Sequence, residues 1–172
     1  MALFLLANSA ADLTAGTPRG VVTTSTSTKT MLQFKPSATI VARIVEWGIS
    51  FDGSAAATPG KVELVEHDQA ATVTAMAAAD ITKWDGDALA GGDPTTNLIQ
   101  VGTTSTGYTA SGEGSNPTVS RPFDLQLIAP TNQYVKQFPL GREPVVQVAK
   151  FVKIRVTFAA AINAYCYMIV QI

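Results

Sequence analysis

Apolar side chains recur at every second position in Phe151-Val152-Lys153-Ile154-Arg155-Val156-Thr157-Phe158, which sets Val152, Ile154, Val156 and Phe158 on one face. A period of two belongs to a β-strand and not to a helix, so this segment can bury one side only within a sheet. After Ala159-Ala160-Ala161 the alternation resumes. From Ile162 to Ile172, Ile162, Ala164, Cys166, Met168, Val170 and Ile172 alternate with Asn163, Tyr165, Tyr167, Ile169 and Gln171. The two segments are expected to pair as a terminal hairpin. Thr39 to Phe51 sets Val41, Val45, Trp47, Ile49 and Phe51 on one face, Arg43 excepted, and is long and apolar enough for a central strand.

Further strands are expected at Thr28–Phe34, Lys61–His67, Ala71–Ala75, Leu98–Val101, Phe123–Ile128, Gln133–Phe138 and Val145–Ala149, separated by Gly, Pro, Asn and Asp. Helical signal is confined to Ala75–Trp84, enough for one or two turns before Asp85-Gly86. About ten short strands with no βαβ alternation point to an antiparallel β-sandwich, jelly-roll-like ahead of immunoglobulin-like. Its expected extent is 28–172, with an acidic, loop-rich middle over 68–117. The Thr/Ser run Thr23–Thr28 and the Gly-, Ser- and Thr-rich stretch Gly102–Pro117 read as surface.

Residues 1–27 read as an amino-terminal arm. Met-Ala-Leu-Phe-Leu-Leu lacks the basic flank of a secretory leader, and its apolar stretch is short, so Leu3, Phe4, Leu5 and Leu6 are expected to lie on a neighbouring subunit. No apolar run approaches the roughly 18–20 residues that a membrane-spanning helix needs.

Charged residues make up 15% of the 172-residue chain, well below the roughly one quarter of an ordinary soluble domain, and mean hydropathy is positive at +0.21. A surface so poor in charge suits subunit contacts, and a homotrimer or another closed ring is expected. Net charge is −1, unevenly spread along the chain. Residues 61–116 carry eight acids and two bases, whereas residues 117–172 carry six bases (Arg121, Lys136, Arg142, Lys150, Lys153 and Arg155) and two acids. This split predicts a dipolar subunit whose basic side docks on an acidic surface, with electrostatic attraction speeding encounter.

Catalytic signals are sparse. His67 is the single histidine, stands in Glu66-His67-Asp68 without a Gly-x-Ser-x-Gly elbow, and reads as exposed and non-catalytic. Cys166 falls on the apolar face of the last strand and reads as a small buried hydrophobe. Asp85, Asp87 and Asp93 surround glycines, as in a calcium loop, but their spacing fits no EF-hand and they read as an acidic turn. No zinc-spaced Cys/His cluster, phosphate-cradling glycine loop or aromatic and basic interleaving occurs, so no cofactor, metal or nucleic acid is expected. Trp47 reads as core and Trp84 as a contact residue.

Val45-Glu46-Trp47-Gly48-Ile49-Ser50-Phe51-Asp52-Gly53, then Lys61-Val62-Glu63-Leu64, and later Phe138-Pro139-Leu140-Gly141-Arg142-Glu143-Pro144, resemble small virion proteins of tailed bacteriophages. The resemblance is to head decoration, or cement, proteins and covers residues 40–66 and 122–172. It implies a non-catalytic β-sandwich, trimeric, on the outer surface of a capsid, holding major capsid proteins together. A receptor- or glycan-binding head fibre and a tail or baseplate part are the alternatives. Pro139 and Pro144 bracket a rigid turn presenting Arg142 and Glu143, which with Arg121, Lys136 and Lys150 complete the expected contact set.

Overall fold

The computed structural model describes residues 2–10, 19–54, 57–84, 98–110, 113 and 118–172. Its strands are β1 (Leu3–Ala7), β2 (Val22–Thr23), β3 (Lys29–Phe34), β4 (Ala42–Phe51), β5 (Gly60–His67), β6 (Val73–Ala75) and β7 (Thr82–Lys83). They continue as β8 (Gly107–Ala110), β9 (Ser120–Ile128), β10 (Gln133–Gln137), β11 (Val145–Val146), β12 (Phe151–Thr157) and β13 (Asn163–Gln171). The helical signal comes down to one 3-10 turn, Ala78–Asp80.

All pairings are antiparallel and form two sheets. One runs β10-β4-β13-β1-β7, with β11 also on β4 and β2 also on β13, and the other runs β6-β8-β3-β12-β5-β9. Four strand pairs, β1/β3 (with the short β2 between them), β4/β5, β9/β10 and β12/β13, each place one member in either sheet, and they lie side by side in the same order across both. That roll is the jelly-roll arrangement. The core between the sheets takes alternate residues along the strands: Phe4 and Leu6 of β1, Val62 and Leu64 of β5, Val152, Ile154 and Val156 of β12, Cys166 and Met168 of β13. In β4 a bulge between Ile44 and Glu46 shifts the inward face, so Ala42 and Ile44 join Trp47 and Ile49 in the core in place of the expected Val41 and Val45. Trp47 is fully buried, its ring 5.3 Å from that of Tyr134. Gly60 leaves room for Phe158, since a Cβ there would fall 2.3 Å from the Phe158 ring.

Three expectations are corrected. The last two strands are not a hairpin: β12 pairs with β3 and β5, and β13 with β1, β2 and β4. The Ala159-Ala160-Ala161 link has no Gly, Asn or Asp for a tight hairpin turn, and both apolar faces find cover by facing each other from opposite sheets. The amino-terminal segment is not a free arm, because β1 lies between β13 and β7 and puts Phe4 and Leu6, 1% and 0% exposed, into the core. Leu98–Val101 makes only an isolated bridge, Pro36 to Ile99. The Thr/Ser run is stitched down as well: the Thr24 N–H donates to Ile162 O at 2.7 Å, and Thr24 Oγ1 accepts the Ile162 N–H at 3.0 Å.

Candidate functional site

Both sheets end on the same flank, one at β10 and β11, the other at β9. Side chains tie these edges together. Asp124 of β9 accepts hydrogen bonds from Tyr134 Oη at 2.7 Å and Gln126 Nε2 at 2.9 Å, and burial, then the Asp124 carboxylate, pushes the Tyr134 phenol up to about 12. Further along, Arg121 donates to the Val145 carbonyl and to Glu66 Oε2, and Glu66 also accepts the Gln147 N–H at 3.0 Å.

The middle of β9, from Asp124 to Leu127, is built inside out, while Ile128 returns to the core. Opposite residues of paired strands share a face, and β9 aligns Asp124 with Leu64 and Gln126 with Val62, both core residues, while Leu125 faces Glu63 and Leu127 faces Lys61. Polar side chains therefore point inward and satisfy one another, and Leu125 and Leu127 stand 51% and 72% exposed. Val148 just after β11 is also exposed. At the tip of the Pro139–Arg142 turn, closed by the Arg142 N–H on Pro139 O and by Gly141 at φ +81°, Leu140 is 95% exposed. Ile40 and Val41, leading into β4, add to the same end of the sheet.

The expected contact residues divide. Lys136 and Arg142 are exposed on this flank and Lys150 is half-buried beside it. Arg121 is engaged by Glu66 at 2.9 Å and lies over the Phe123 ring. Glu143 is not presented by its turn: it is buried and faces Arg43 at 3.8 Å. Leu3 and Leu5 lie on the outer face of the β13 sheet, whereas Phe4 and Leu6 are core.

The charge split along the sequence is not a split in space. Lys153, completely buried, lies 3.8 Å from Glu113, and Arg155 lies 3.1 Å from Glu63 and 3.5 Å from Glu113, so acids of the first segment neutralise bases of the second. Desolvation lowers the Lys153 pKa despite Glu113. Only Lys136, Arg142 and Lys150 of the expected basic set remain to meet a partner.

Chemistry elsewhere is limited among the described residues. His67 is buried, not exposed, with Nε2 3.2 Å from Ser120 Oγ and no hydrogen-bond partner on Nδ1. Burial, then the charges of Lys153 and Arg155, lower its pKa to about 4. A serine nucleophile needs its histidine oriented through that second nitrogen, and no carboxylate is bonded there. Cys166 is buried and its thiol is pushed far up by desolvation. No group of three metal-ligating side chains occurs among the described residues, and Asp85, Asp87 and Asp93 lie outside them. Among the described residues no helix is long and apolar enough to cross a membrane.

Leu125 and Leu127 escaped the sequence reading because an inverted strand has the same alternation as an ordinary one; only its register with β5 tells inside from outside. No family model, curated protein or solved structure matches this chain.

Proposed function

We propose that this chain is a structural subunit of a phage particle, a decoration or cement protein that sits on the outside of the head and docks through the flank formed by β9, β10 and the Pro139–Arg142 turn. The inside-out register of β9 carries this reading. A lone domain gains nothing by turning Leu125 and Leu127 to water and Asp124 and Gln126 inward, whereas a subunit covered by a shell protein buries both leucines at about 1.5–3 kcal/mol each. Two open edges beside exposed leucines offer backbone groups and apolar cover to the same partner.

The low charge, the internal pairing of Lys153 and Arg155 and the resemblance of residues 40–66 and 122–172 to decoration proteins agree with this role. Jelly rolls recur in capsid subunits, an analogy of fold alone. The reading assigns no catalytic step, and self-association into a trimer belongs with it. Co-sedimentation with undecorated heads is the test. Leu127→Lys and Leu140→Lys should each leave the thermal midpoint unchanged and release the protein from heads. Full retention of both variants on the heads sinks the reading.

A further inference from the structure

The outer face of the β13 sheet carries an aromatic surface that the docking flank does not use. Directly opposite residues place Tyr167 of β13 beside Gly48 of β4, Tyr165 beside Ser50, and Ile169 beside Glu46. The Tyr167 ring lies down on the sheet over Gly48, where a Cβ would fall 2.6 Å from its Cε1. Its hydroxyl donates to Glu46 Oε1 at 2.6 Å, which fixes the ring in that pose. Tyr165 stands next to it, ring centroids 6.4 Å apart and planes 33° from each other. Trp84 comes to the same face because its backbone N–H donates to Leu3 O at 2.9 Å, and the residue is 54% exposed.

These rings divide two shallow hollows. One, of about 340 Å³, is lined by Trp84, Tyr165, Tyr167, Leu5, Glu46 and Ile169; the other, of about 240 Å³, adds Ser50, Gln133, Ile49 and Val135 to the same tyrosine pair. Flat rings already held in place lose little conformational entropy when covered. Amide, hydroxyl and carboxylate groups beside them accept and donate hydrogen bonds in the plane of a ligand. Among the described residues no lysine or arginine lines either hollow, and Glu46 sets a negative charge in the first, though the Arg19 charge also reaches Tyr165.

We infer that this face binds a neutral oligosaccharide, its pyranose rings stacked on Trp84, Tyr165 and Tyr167 and its hydroxyls met by Glu46, Gln133 and Ser50. Acidic sugars are disfavoured by Glu46. The inference does not rest on docking to a shell, since it concerns the outer face of the β13 sheet and not the exposed leucines of β9 and the Pro139–Arg142 turn.

Tryptophan emission reads the site directly, because Trp84 is exposed and Trp47 is fully buried. The purified chain is titrated with cellotetraose, with chitotetraose and with tetragalacturonate as the acidic control. At least one neutral tetrasaccharide should shift the emission saturably, the acidic one should not, and Trp84→Phe should abolish the signal. Trp84→Ala, followed by calorimetry, should weaken binding about ten-fold through lost stacking and cover. Gly48→Ala, which tips Tyr167 off the sheet, should weaken it comparably while circular dichroism confirms the fold. The inference fails if neither neutral probe binds at millimolar concentration, if Trp84→Ala and Gly48→Ala both bind as tightly as the parent, or if the emission shift follows protein concentration instead of sugar. The last result would mark the face as a contact between copies of the chain.

Discussion

His67 should make the fold sensitive to mild acid. It is 1% exposed on β5, with its Nδ1 lacking a hydrogen-bond partner, and burial together with Lys153 and Arg155 lowers its pKa from 6.5 to about 4, against a smaller opposing pull from Asp68. Folded protein therefore holds this proton more weakly than the unfolded chain does. Between pH 6.5 and 4 the unfolded state binds more protons, so stability is complete above pH 6.5 and falls as pH drops toward 4. A displacement of that size corresponds to about 3 kcal/mol in all, with a slope of at most about 1.4 kcal/mol per pH unit. Urea unfolding of the parent and of His67→Gln across pH 4 to 7.5 isolates this contribution, since the carboxylates titrate in both proteins. The difference between the two should be flat above pH 6.5 and should move by about 2–3 kcal/mol in favour of the variant by pH 4. Parallel curves over the whole range refute the assignment of a depressed histidine.

Phe4→Ala should cost about 3–5 kcal/mol in chemical denaturation, because the side chain fills the core; a loss below about 1 kcal/mol would return β1 to the status of an arm. Lys153→Met should be neutral or stabilising, whereas Glu113→Gln, which strands the buried ammonium, should destabilise by about 2 kcal/mol or more. Gly60→Ala should cost about 1–3 kcal/mol by driving a methyl group into the Phe158 ring, read as a lower urea midpoint.

How much of this was legible in the sequence depends on whether the signal was local. Alternation in Phe151–Phe158 and Ile162–Ile172 located both strands and their buried faces, since period and burial are properties of the strand itself. Their partners were not legible: a hairpin was expected where the chain crosses between sheets, because pairing is decided by distant strands such as β1 and β3. Short strands held by two register pairs each, β2, β7 and β11, carry too few residues for a period to show. The charge asymmetry was real in sequence and absent in space, because Glu63, Glu66 and Glu113 fold onto Arg155, Arg121 and Lys153. In the candidate site, Arg142 was expected from its proline-bracketed turn and Lys136 from the charge split, and both are exposed on the flank. Leu125, Leu127 and Leu140 were not expected, since exposure of an apolar side chain leaves no trace in composition.

The central claim is that the β9–β10 flank is the surface by which this subunit holds to a particle, and electron cryomicroscopy of the particle tests it most directly. Density for the jelly roll should stand on the outside of the head, with Leu127 and Leu140 turned into the shell and the Tyr165 and Tyr167 face turned away. Heads that carry no such density, or a subunit seated with β9 toward solvent, would contradict it.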